Sequence, residues 1–406
     1  MTSEARRILM IAPTSFFLDY GCHVRILEEA RALAMQGLQV RIATYYKGRD
    51  WPGLDIVRSA PTPWRAEYEV GSSRHKIAFD VLLSWQAVWE ALRWRPHLIH
   101  GHLHEGALIG SVPARLLGIP LVFDLQGSMT EEMLDHGFIQ RDTIAYYWWR
   151  RLETRINGLA DAIVTSTLHS AEMLARIFGQ REHVHPLPDS VNLDFFCRDC
   201  LEPEERAHRR AALGIPPDRK VVVYLGLLAD YQGLPQMLQA AALLRRRDYP
   251  VTFLIMGFPS VEKYREQAIS LGLTPQDVIF TGRTPYEKAP SKLALGDIAI
   301  APKISATEGS GKILNYMAMG LPVVVYDTQV SREYLGGLGI YATPVGEAEA
   351  LAQALAFVLR NPEVGRIMGE KLRERAARHF SWQRMGRRLV QIYEKLWAES
   401  DSEENR

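Results

Sequence analysis

Between Thr307 and Asp327 the sequence reads TEGSGKILNYMAMGLPVVVYD, and its residue types suit an anionic ligand that also carries hydroxyls. Gly309 and Gly311 permit a backbone turn that side chains would strain. Behind them Ile313, Leu314, Met317 and Ala318 recur at the spacing of one helix face. Gly320, Leu321 and Pro322 stop that helix, and Val323, Val324 and Val325 form a run short enough for a buried strand. The unpaired amides of the first helical turn, around Ser310 to Ile313, and the positive end of the helix dipole favour an anion there. Lys312 adds a full charge at the same place. A glycine loop alone would equally serve a plain connection between two elements. Here, however, Glu308 precedes the turn and Asn315 follows on the helix, so hydroxyl-binding groups flank the anion site on both sides. A diphosphate is the leading ligand this pattern predicts.

The rest of the chain must position those groups. Its 406 residues exceed one ordinary α/β core and predict two domains. The formal net charge of +1 supplies no global field for nucleic acid, and no basic stripe with interleaved aromatics appears. Cys197 and Cys200 form a C-x-x-C pair, but only His208 stands near as a further ligand, so free thiols in a reducing cytosol are expected rather than a zinc site. With no N-terminal apolar segment and no run long enough to span a bilayer, the expected location is cytoplasmic.

From Arg7 onward apolar runs alternate with amphipathic segments, which predicts parallel sheets with helices on both faces and ligands at the carboxyl ends of the strands. The strands expected in the first half are RILMIAP, QVRIAT, HLIH, LVFDL, DAIVTS and HVHPLP. Gly21 opens a helix that runs to about Gln36. His100, His102 and His104 share a face only if the strand HLIH continues past Gly101; polar groups at a strand end are the better reading than a metal. Two aromatic helical stretches, Arg74 to Arg95 and Tyr146 to Ile156, combine tryptophan with arginine, a composition suited to a membrane interface or a lipid-linked acceptor, although aromatic helix faces more often pack into a core. The second half continues with VVVYLG, VTFLIMG, DVIFTG and DIAIAPK, the last ending in Lys303, and closes with three helices.

Several of these segments, in order over about residues 7 to 398, resemble the retaining glycosyltransferases of family 4. The donor loop of that family reads E-G-F-G, with a second glutamate on the following helix and then A-M-A-x-G-x-P-V-V. The resemblance implies a GT-B fold, two Rossmann-like doubly wound parallel-sheet domains facing across a cleft. It places an acceptor domain over 1–198, a linker over 199–217, a donor domain over 218–380, and a final helix over 381–400 returning to the first domain. It also implies transfer of a sugar from a UDP- or GDP-sugar to a glycan, lipid-linked or small-molecule acceptor with retention, the nucleotide sugar being a co-substrate and no metal or other cofactor being needed. Peripheral contact with a membrane is compatible with such an acceptor. Alternatives are a nucleotide-sugar-binding protein without turnover, or epimerisation or phosphorolysis on the same fold.

Residue by residue, Glu308 matches the glutamate that holds donor sugar hydroxyls. Asn315 stands for the ribose-binding glutamate, in a loop one residue shorter. Gly226 keeps the first glycine of a turn whose two diphosphate-binding cations are replaced by Leu227 and Gln232, so Lys303 and Lys312 are the candidates to compensate. Gly21 keeps one glycine of a phosphate-facing turn, and Arg283 lies where backbone groups meet the base. Gln126 replaces a histidine near the reacting sugar, and a glutamine cannot take a proton. Asp124 on the same strand is the nearest alternative carboxylate, either catalytic or simply buried at the strand end.

Overall fold

A computed structural model describes residues 5–19, 21–62, 74–135, 138–178, 183–197, 201–304 and 309–404. The first sheet comprises β1 (Arg7–Ala12), β2 (Gln39–Thr44), β3 (Asp55–Arg58) and β4 (Leu98–His102), followed by β5 (Leu121–Leu125), β6 (Ala162–Thr165) and β7 (Val184–Pro186). Its order is β3-β2-β1-β4-β5-β6-β7, all parallel. The helices between these strands are α1 (Gly21–Met35), α2 (Arg74–Trp94), α3 (Leu103–Leu117), α4 (Met129–Asp135), α5 (Ile144–Asn157) and α6 (Leu168–Phe178).

After α7 (Pro203–Ala212) comes the second sheet, β8 (Lys220–Leu227), β9 (Val251–Phe258), β10 (Val278–Gly282), β11 (Ile298–Ala301), β12 (Val323–Tyr326) and β13 (Ile340–Ala342). Its order is β10-β9-β8-β11-β12-β13, again parallel. Around it lie α8 (Leu234–Arg246), α9 (Val261–Ser270), α10 (Ala289–Leu293), α11 (Gly311–Ala318), α12 (Gln329–Leu335), α13 (Ala348–Arg360) and α14 (Pro362–His379). Parallel strands covered on both faces must be apolar throughout, and Val221 to Tyr224 and Val323 to Tyr326 are indeed fully buried.

Both sheets reverse their strand order once, between β1 and β4 and between β8 and β11. The crevice at the carboxyl ends of such strands is where a doubly wound sheet binds ligands. In the second sheet, Gly226 lies at the end of β8, Gln232 follows that strand and Lys303 follows β11. Gly233 lets these two strand ends close on one another: its φ is +78°, and a Cβ there would lie 1.9 Å from the Pro302 carbonyl oxygen. The last helix, α15 (Trp382–Glu404), packs along α1 in the first domain. Tyr393 there donates to or accepts from His100 Nδ1 at 2.5 Å, and Trp397 Nε1 donates to the His97 carbonyl at 2.8 Å.

Two details depart from the sequence reading. β3, absent from the expected strands, is a four-residue edge strand with no fully buried position. The strand HLIH does run past Gly101, to His102, but His104 has already entered α3, so the three histidines share no face.

Candidate functional site

On the second domain the site is built around Lys312. It leaves the first turn of α11 half-buried and reaches back under β8, where Nζ donates to Gln232 Oε1 at 2.7 Å and to the Tyr224 hydroxyl at 3.0 Å. The ammonium also lies 4.4 Å above the Tyr224 ring. Gly226 makes room for it: with φ at +148°, its missing Cβ would stand 2.8 Å from Lys312 Nζ. Gln232 therefore binds the lysine rather than replacing it. Burial, with the charge of Lys303 nearby, lowers the Lys312 pKa to about 7. Lys303 is buried and directs Nζ toward the Gly309 carbonyl at 3.5 Å. Two cations thus converge on the N-terminus of α11, and that convergence is itself repulsive until an anion arrives.

Other groups complete this side. Ser310, which caps α11, is buried, and its Oγ has no hydrogen-bond partner among the described residues. Ile313 gives its side chain to the core and its amide to the Ser310 carbonyl at 2.9 Å, and the Ser310 amide meets the Tyr334 hydroxyl, leaving the Gly311 and Lys312 amides of the turn for a ligand. Asn315 is half-buried in the second turn, three residues after Lys312 and so on the same side of the helix. Arg283 is exposed and stacks its guanidinium 3.8 Å above Phe258. Gly21 begins α1 at an exposed position with open space where a Cβ would be. Glu308 lies outside the described residues.

Facing α11 from the first domain is a group that the sequence reading did not assemble. Arg25, on the buried side of α1, donates through Nε to Asp124 Oδ1 at 2.9 Å and through Nη1 to Asp189 Oδ1 at 2.9 Å. It also pairs with Glu29 at 3.1 Å. Asp124 is fully buried, and its Oδ2 bonds His102 Nδ1 at 2.9 Å and accepts from Gln126 Nε2 at 2.8 Å. Burial opposes the Asp124 charge, but Arg25 and His102 outweigh it and hold the pKa well below the usual carboxylate range. Such a carboxylate is neither basic nor exposed to a sugar, so Asp124 acts here as the strand-end anchor that orients Gln126. Gln126 itself is half-buried, with Oε1 left as the end that can accept from a hydroxyl. Asp189 then continues toward the donor side, its Oδ2 lying 2.7 Å from where a Cβ on Gly309 would be.

Glu29, His100, His102 and Asp124 bring one donor atom each within 4.8 Å of the others, a grouping with the composition of a metal site. Arg25 already occupies it: its guanidinium binds both carboxylates, whereas a metal would need those oxygens free. Burial and the neighbouring Asp124 push the Glu29 pKa well above its ordinary value, which further weakens it as a ligand. Arg25 left one trace in the sequence, the i,i+4 pair with Glu29 set among the apolar residues Ile26, Leu27 and Ala30.

The two domains meet around this site. Asp19 accepts from the Tyr286 amide at 2.9 Å and from Arg49 at 2.8 Å, and Arg49 reaches on to Glu287 at 2.6 Å. Phe17, Trp51 and Phe195 pack their rings around Tyr286. Beside α11, Glu333 accepts from the Leu168 amide at 2.7 Å. Two doubly wound parallel-sheet domains that meet here, with cations and helix amides on one side and a glutamine on the other, have the architecture of the GT-B fold.

Comparison with known proteins agrees. Residues 205–377 match the family described as Glycosyl transferases group 1, and residues 20–189 match the Glycosyl transferase 4-like domain. The chain is a glycosyltransferase of group 1. Among curated relatives, the alpha-D-kanosaminyltransferase of Streptomyces kanamyceticus is 27% identical over 73% of this chain and 77% of its own. The D-inositol 3-phosphate glycosyltransferase of Saccharomonospora viridis is 28% identical over 93% of this chain and 90% of its own. Among solved structures, sucrose-phosphate synthase from Thermosynechococcus elongatus superposes with a TM-score of 0.80 at 18% identity, covering 97% of this chain and all of the other. The Anabaena protein HepE in complex with UDP and glucose gives 0.77 at 16% identity over 95% and 98%.

Proposed function

We propose that this glycosyltransferase takes its sugar from a nucleoside-diphosphate sugar, UDP- or GDP-linked, and delivers it to an acceptor hydroxyl with retention of anomeric configuration. The carrying observation is the pairing of Lys312 and Lys303 at the N-terminus of α11 beside the Ser310 hydroxyl, which has no hydrogen-bond partner among the described residues. Two cations and a set of oriented amides stabilise the charge that develops on a departing diphosphate. They supply what a divalent ion would otherwise supply, so turnover is expected to proceed without metal. The relatives are named for glycosyl transfer, and HepE binds UDP.

Retention is supported by what faces the acceptor. Gln126 cannot take a proton, and Asp124 is turned into the Arg25 network. The acceptor proton then goes to the leaving diphosphate oxygen as the anomeric carbon exchanges its phosphate bond for a bond to the acceptor oxygen on the same face. Glu308 would hold the sugar hydroxyls and Asn315 the ribose. Several UDP- and GDP-sugars incubated with a mixed acceptor pool, with chelator present, should release nucleoside diphosphate and yield a product of retained configuration by NMR. An inverted product would remove retention. Binding without release would leave a nucleotide-sugar-binding protein.

A further inference from the structure

The outer side of the first domain carries a surface that the donor site does not use. α2, α3 and α5 connect successive strands of one parallel sheet and cover the same side of it, with α3 packed against both neighbours. On α2, Ile77, Val81, Trp85, Trp89 and Leu92 recur every three or four residues and are exposed, Trp85 by 76%. The same helix buries Phe79, Leu83, Ala87 and Ala91 against the sheet. It is therefore apolar on both sides, whereas a helix that meets water presents polar residues outward. α3 adds exposed Leu108, Val112 and Leu116. α5 adds Ile144, Tyr147 and Trp148, with Ile144 90% exposed. At roughly 150–250 Å² per aromatic side chain, the open parts of Trp85, Trp89 and Trp148 alone reach the few hundred Å² typical of a monomer's largest apolar patch.

The charges on this face say what covers it. The exposed charged side chains described on the three helices are all arginines: Arg93, Arg115, Arg151 and Arg155. Their carboxylates are turned inward, Asp80 to the Tyr45 hydroxyl, Glu90 to Arg41, Glu105 to Lys76 and Glu153 to Thr130. A second copy docked on this patch by a two-fold axis would set arginine against arginine with no carboxylate between them. Lipid phosphates meet the arginines, and tryptophan and tyrosine suit the boundary between headgroups and acyl chains. No helix among the described residues is long and apolar enough to cross a membrane, so the contact is with the surface. We propose that α2, α3 and α5 form a docking face for an anionic lipid surface. The three helices run opposite to the strands, so their N-terminal ends lie at the sheet edge that carries Gln126. Docking thus brings the mouth of the cleft to the lipid.

The test is sedimentation with phosphatidylglycerol-containing vesicles and with phosphatidylcholine vesicles over a series of salt concentrations. The protein should pellet with the anionic vesicles only, less so as salt rises. Trp85→Ser, Trp89→Ser and Trp148→Ser combined should lower the partition coefficient at least tenfold with melting temperature and nucleoside-diphosphate affinity unchanged. Arg115→Gln and Arg151→Gln should each lower it about fivefold. Absence of pelleting, equal pelleting with both vesicle types, or unchanged partition in the tryptophan variant overturns the proposal. So does a dimer by light scattering that the tryptophan variant dissolves, which would assign the face to a second copy.

Discussion

If Lys312 is the cation that receives the diphosphate, its lowered pKa makes ligand affinity fall as pH rises. Burial beside Lys303 leaves the group with a pKa of about 7 in the empty site. A bound diphosphate favours the ammonium, so binding near neutrality takes up a proton, and above the free pKa the affinity drops by about tenfold per pH unit. The drop ends when the whole contribution of the charge is gone. A charge-assisted hydrogen bond contributes roughly 1.5 to 3 kcal/mol, so the ceiling is about ten- to a hundredfold. Lys312→Met should begin at that weakened level and show no slope over the same range. The two titrations then converge at high pH, when the wild-type lysine has also lost its charge. Calorimetry with UDP and GDP between about pH 7 and 9 measures this, in a window where the terminal phosphate is already ionised. The sign for folding is opposite. The unfolded lysine keeps its proton to higher pH than the folded one, so the unfavourable charge in the empty site is strongest below the folded pKa and is relieved as pH rises. Lys312→Met should therefore raise the melting temperature of the ligand-free protein near neutral pH. A wild-type affinity that is flat above pH 7, or a variant that retains the slope, would refute the assignment.

Three further outcomes follow from the site. Glu308→Gln should reduce turnover strongly while nucleoside-diphosphate affinity stays within about twofold, since removing one charge-assisted bond to the sugar leaves the nucleotide contacts intact; a shift in melting with normal turnover would make Glu308 a helix cap instead. Asn315→Ala should weaken the same affinity by about fivefold, the worth of one neutral hydrogen bond near 1 kcal/mol, as read by calorimetry. Arg25→Met strands Asp124, Glu29 and Asp189 without their cation, and breaking such a buried pair costs about 3 to 5 kcal/mol. Denaturant unfolding should show that loss, and a variant as stable as wild type would mean that the network is not held by its arginine.

The fold was readable because most central strands are buried apolar runs, some of them stopped at once by a proline, as β1 is by Pro13 and β11 by Pro302. Hydrophobic pattern therefore carries both sheets. β3 escaped because Asp55 to Arg58 is an edge strand whose side chains are only partly covered, so burial left no mark on its composition. Lys312 and Gly226 were visible as a charge and a turn, but their dependence on each other was not, since a glycine 86 residues earlier makes space for the lysine only after β8 and α11 are stacked. Arg25 shows the same limit more sharply. Its partners Asp124 and Asp189 lie 99 and 164 residues away in sequence, and no local period announces a contact of that span. Gln232, read as a lost cation, is the acceptor that holds the cation supplied by another element.

The return of α15 to the first domain has a bearing on the order in which the protein is made. Ile26 and Leu98 share one buried cluster with Leu389, Ile392, Tyr393 and Trp397. A nascent chain that has emerged only as far as β7 therefore still exposes the side of α1 that α15 will cover. Strands β8 to β13 lie wholly between those segments, and one face of their sheet holds its own core around Val222, Ile255, Ile300 and Val324, so on the ribosome that face of the middle of the chain can pack first. The first domain to be synthesised is then the last to be sealed.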